Sequence, residues 1–120
     1  MAVPKRKTGP GAGKLMILIT DAMAKKMPRL YATEDTSLED KKIWVKLFNP
    51  TGAGTWYLAE YDPESRLAFG YCDLGMGCPE WGLVSIQELE EIQFYGGMLG
   101  IERDIHFKPC KFKNIPGVAV

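Results

Sequence analysis

The chain has 120 residues, 46% of them hydrophobic and 25% charged, which gives one globular domain and excludes a long disordered chain. Fifteen Lys and Arg offset fifteen Asp and Glu, which excludes a uniformly basic nucleic-acid coat. The longest apolar run near the start, Leu15 to Ile19, is too short for a membrane span or a secretory leader, so a cytoplasmic protein without membrane contact is expected.

Residues 1–14 hold two prolines, three glycines and four positive charges. With no apolar periodicity to fold them, they read as a flexible basic tail. Thr20 or Asp21 caps a short helix over 21–27 that Pro28 ends. Strand signals follow over 43–49, 55–61 and 66–74, separated by the turn chemistry of 49–54 and 62–65. Short connections make these an antiparallel meander. Strict alternation in the second strand sets Trp56, Leu58 and Glu60 on one face and Tyr57, Ala59 and Tyr61 on the other; either the first set alone is buried and Tyr57 and Tyr61 form an exposed pair, or both sets are buried.

A further short strand at 81–84 leads to Ser85, which caps a helix from Ile86 with Glu88 in a capping box. Gly96-Gly97 stops that helix, and a last strand is predicted over 101–107. The class is α+β: a small antiparallel sheet of about four to five strands packed with two short helices. The expected organisation is a 1–14 tail, one domain over 15–116 and a 117–120 C-terminal tail.

Gly9 to Leu15 imitates a phosphate loop, but its first glycine is one residue too close and Leu15 stands where a hydroxyl is needed. Cys72, Cys78, His106 and Cys110 are too loosely spaced for a structural zinc site, so no metal and no cofactor is expected and the thiols read as unrelated and reduced. Lys5, Arg6 and Lys7 offer at most a weak, salt-sensitive nucleic-acid contact. On a strand, Glu102, Asp104 and His106 share one face; two carboxylates and an imidazole there suit acid–base or metal-assisted chemistry, whereas the plain reading is a solvated strand face. Arg103 then points inward and needs a carboxylate such as Glu60, Glu80 or Asp104.

The zero net charge hides a segregation. Residues 62–104 carry nine acids against two bases, while residues 1–61 carry ten bases against six acids. Glu88, Glu90 and Glu91 read as the outward face of the second helix. Such an acidic block can meet a basic partner.

The runs Leu30-Tyr31-Ala32-Thr33-Glu34, Val45 to Pro50 and Thr55 to Asp62 resemble domain-of-unknown-function family 2958. So do Phe69-Gly70, Glu80-Trp81-Gly82, Ser85 with Glu88-Leu89-Glu90, and Ile101 to Asp104 with Phe107-Lys108-Pro109. The resemblance implies a single small domain of bacterial, phage or plasmid origin, often on mobile elements, and brings no activity. The first functional expectation is therefore a non-enzymatic protein-interaction module from a phage or mobile element that acts on a host or defence complex through an acidic surface. Glu60, Tyr61, Glu88, Glu91, Glu102 and Asp104 are its candidate surface residues; no catalytic residue is assigned. The alternatives are a small enzyme using Glu102, Asp104 and His106, and a nucleic-acid binder acting through the basic tail.

Overall fold

Thr20 starts the first helix, α1 (Asp21–Lys26): its hydroxyl accepts from the Met23 N–H at 3.2 Å, and Pro28 lies just past the end. The computed structural model describes residues 16–118; the expectations for residues 1–14 lie outside the described residues.

Nine strands follow among the described residues, in part as predicted. The 43–49 segment divides into β1 (Lys42–Ile43) and β2 (Val45–Phe48), because Trp44 donates its N–H to the Leu58 carbonyl at 2.9 Å and turns the chain between two sheets. β3 (Thr55–Asp62), β4 (Leu67–Asp73) and β5 (Glu80–Ser85) form the meander. A second helix, α2 (Ile86–Glu91), leads to β6 (Gln93–Phe94), β7 (Leu99–Gly100), β8 (Glu102–Arg103) and β9 (Cys110–Lys111). The main sheet is antiparallel in the order β5-β4-β3-β2-β8, β9 pairs with β1, and β6 with β7. The architecture is α+β.

Two predicted boundaries are corrected. Gly96 and Gly97 do not end α2, which stops at Glu91; with Tyr95 they take positive φ and turn the β6–β7 hairpin. The strand expected over 101–107 shrinks to Glu102–Arg103, because the Asp104 carboxylate accepts from the His106 N–H at 2.9 Å and bends the chain away.

Both faces of the main sheet are covered, which is why β3 is buried at six consecutive positions and shows no alternation. One face packs Val45, Leu47, Trp56, Leu58, Tyr61 and Ala68 against Leu18, Ile19 and Met27 from the N-terminal side and Ile86 and Leu89 of α2. The other packs Tyr57, Ala59 and Tyr71 against Phe112 and Ile115 from the C-terminal side. There Phe112 lies 4.7 Å from Tyr71 and 4.8 Å from Trp81 between ring centres.

A β-bulge between Leu58 and Glu60 leaves Ala59 without a partner on β4. The extra residue swaps everything after it: Glu60 joins the face of Tyr57, and Tyr61 joins that of Trp56 and Leu58. Gly70 lies opposite the bulge, where a Cβ would collide with the Tyr57 carbonyl oxygen. The close approach of β3 and β4 thus requires glycine.

Candidate functional site: an acid-rimmed groove beside an open sheet edge

α2 is short and is held in place from several directions. The Ser85 hydroxyl accepts from the Glu88 N–H at 3.2 Å, and Ile86 and Leu89 are buried beneath it. Glu90, expected on the outward face, is instead 3% exposed. Its carboxylate meets the Arg66 guanidinium at 2.9 Å and accepts from the Leu18 N–H at 3.1 Å. Arg66 sits at φ 62° in the β3–β4 turn. Burial would lower its pKa, but hydrogen bonds to Tyr61 and Glu90 outweigh that and raise it, so the guanidinium stays charged. One carboxylate therefore joins the N-terminal segment, the β3–β4 turn and α2.

With α2 fixed, a groove of about 820 Å³ runs between it, β5 and the loop over 74–79. Trp56, Cys72, Val84, Leu89 and Ile92 line it, with Leu74, Met76 and Cys78 from the loop. Leu74, Met76, Leu83 and Ile92 are exposed large apolar residues, and all four border this groove. Glu80 and Glu88 are its exposed charged groups, and no cation lines it among the described residues. Burial pushes the Cys72 thiol up, helped by Asp73 and Glu80. Cys78 is exposed.

A second cavity of about 520 Å³ lies on the other side of β5, where Leu38, Phe69 and Leu83 surround a buried polar cluster. The Glu60 carboxylate accepts from the Tyr31 N–H at 2.8 Å, the Thr33 N–H at 3.3 Å and the Thr33 hydroxyl. Lys41, 5% exposed, lies 3.7 Å from Glu60 and donates to the Thr33 carbonyl and hydroxyl at 2.5 and 2.7 Å. Each polar group here is matched by another, so the cluster latches the loop over 29–37 onto the sheet. Tyr31 takes φ 68° to make its bond.

The candidate surface residues do not form one surface. Glu60 and Tyr61 are buried at 3% and 4% exposure and belong to the latch and the core. Of the two alternatives for Tyr57 and Tyr61, burial of both sets holds and the exposed pair does not: the bulge sends the two rings to opposite faces, both covered. Glu102 and Asp104 lie at the β8 edge, across the whole sheet from Glu80 and Glu88. Glu88 remains on the groove, with Glu91 one turn along α2.

Glu102, Asp104 and His106 do not converge either. Asp104 pairs with Lys46 at 3.6 Å, and His106 is exposed in the turn. Among the described residues no group of three or more His, Cys, Asp or Glu could hold a metal ion. Arg103 finds no carboxylate among the described residues; it donates to the Ile17 and Leu18 carbonyls at 2.5 and 3.3 Å. Glu80 and the apolar groove residues were missed as a site because they come from three separate segments. The one local signal was Met76 and Leu74 in a loop that needed neither for turn chemistry.

A family model matches residues 18–113. The chain belongs to the family of proteins of unknown function DUF2958. The match takes in every strand of this DUF2958 protein, both cavities and the Glu60 and Glu90 anchors. Among curated proteins and among solved structures, none matches it. No helix among the described residues is long and apolar enough to cross a membrane.

Proposed function

We propose that this protein is a non-enzymatic interaction module that holds a basic, partly apolar segment of a protein partner in the groove between α2 and β5. The observation that carries the reading is the groove itself: the exposed apolar side chains of Leu74, Met76 and Ile92 border it beside Glu80 and Glu88, with no cation among its described lining. Apolar contact supplies affinity, and the two carboxylates choose a basic partner and orient it. The phage or mobile-element origin implied by the family resemblance makes a host or defence complex the first place to look, inside the cytoplasm.

The test uses the full chain as bait in host lysate beside a Glu80→Lys, Glu88→Lys double variant. Both side chains are exposed, so the variant is expected to keep its circular dichroism and melting midpoint. Capture of the partner that the parent retains should fall at least about tenfold. Glu91→Lys, outside the groove lining, should change capture by less than about threefold. Equal capture by the parent and the double variant would sink the reading.

A further inference from the structure

The two edges of the main sheet are treated differently. β8 is two residues long, and its Arg103 N–H is taken by the Met16 sulfur at 3.1 Å. β5 runs for six residues with no lysine, no proline and no register break against β4. Those are the usual devices that keep an edge from accepting another strand. Among the described residues nothing pairs with its outer side.

The phase of β5 follows from one bond. Ile86 donates to the Arg66 carbonyl at 3.0 Å, so the pairs that exchange hydrogen bonds with β4 continue as Ala68 with Val84, Gly70 with Gly82 and Cys72 with Glu80. Trp81 and Leu83 therefore turn their N–H and C=O groups outward. Leu83 shares a face with Phe69, beside the second cavity, whereas Glu80 and Val84 share the other, beside the groove and Glu88.

We infer that β5 accepts an extended segment of a protein partner as a further antiparallel strand, with lysines or arginines on the α2 side facing Glu80 and Glu88 and apolar side chains on the other side beside Leu83 and Leu38. This rests on the interaction reading above and names the form of its ligand. Backbone pairing supplies the register, and the two unlike faces of β5 select an alternating basic and apolar sequence. A second copy of the chain is a poor occupant, because two-fold pairing of β5 would bring the Glu80 and Glu88 carboxylates of both copies to one interface without a cation.

The probe is a dye-labelled peptide of about eight residues alternating lysine and valine, blocked at both ends and titrated with the full chain by fluorescence anisotropy. It should bind at least about tenfold tighter than its glutamate–valine counterpart. In antiparallel addition the valine amides face β5 and the lysine amides face water. N-methylating the valines should therefore remove binding, while N-methylating the lysines should cost less than about threefold. Leu83→Pro, which deletes an outward N–H without touching the β4 ladder, should cost at least about tenfold; Leu83→Thr should cost much less.

Equal effects of the two methylation patterns, or equal binding of the lysine and glutamate peptides, would overturn the inference. So would equal competition by a peptide of residues 1–14, which would assign the edge to the chain's own N-terminus. If Glu80→Lys, Glu88→Lys loses the captured partner while methylation is without effect, strand addition falls and the groove reading stands. If that double variant still captures the partner, the groove reading itself has failed.

Discussion

At the scale of single residues, Glu60 shows what a buried charge does in this fold. It accepts from two backbone amides and a hydroxyl and sits beside the equally buried Lys41, so removing it strands an ammonium and frees the loop over 29–37. Glu60→Ala should lower unfolding stability by about 3–5 kcal/mol, read from the urea midpoint. Much smaller loss would mean that the latch is relaxed by water. The two thiols of the groove should differ in the opposite sense to their position in the chain. Burial holds the Cys72 thiol above its ordinary pKa, so less of it is thiolate at a given pH than for an ordinary thiol, whereas Cys78 is exposed. Iodoacetamide at pH 8 should modify Cys78 at least about tenfold faster, as peptide mass mapping would show.

The bulge also marks where sequence reading stops at this scale. Alternation identified β3 correctly but misassigned Glu60 and Tyr61, because one unpaired residue at Ala59 reverses the parity of all that follows. Nothing local to Ala59 announces this. The glycine at position 70 is the matching half of the device, and only the pairing of the two strands gives it meaning.

At the scale of elements, α1, β3, β4 and α2 were legible because each carries its own signal: a cap, a run of β-branched and aromatic residues, or a turn on either side. β8 was read only within too long a strand and the β6–β7 hairpin not at all, since these strands are two residues long and are defined by their pairing rather than by a pattern of their own. The C-terminal segment was the larger omission. Phe112, 2% exposed, carries no periodic pattern around it, yet it fills the ring of aromatics on one face of the sheet. Phe112→Ala should cost about 3–5 kcal/mol, with the loss seen as a lower melting midpoint and increased near-ultraviolet change around the neighbouring Tyr and Trp rings. A cost under about 1 kcal/mol would mean that Ile115 and Val118 close the gap.

At the scale of the whole molecule, the balanced charge turns out to be sorted by burial as well as by position. Glu60 and Glu90, two of the fifteen acids, are internal and paired with cations. Asp104 and Asp40 are matched by lysines at the surface. Glu80 and Glu88 have no such neighbour among the described residues and stand beside the exposed apolar side chains of the groove. The candidate site therefore takes in two of the block's acids, Glu80 and Glu88, that face no cation among the described residues and border the groove. Counting charge along the chain located the block, but could not separate the acids that stabilise the interior from those offered to a partner.

The two flanks of the chain close opposite faces of one sheet, and β1 reaches its partner β9 across Lys42 to Lys111. A ribosome must release the chain through Phe112 and Ile115 before the second face can close. Until then the meander exposes Tyr57, Tyr71 and Trp81 along with the open edge of β5, and the cost of closing so long a loop falls on the final step. The nascent protein thus passes through a stage in which its aromatic wall and its pairing edge are both uncovered. A chain truncated ahead of Phe112 would remain there, as a substrate for proteases and chaperones rather than a smaller working copy.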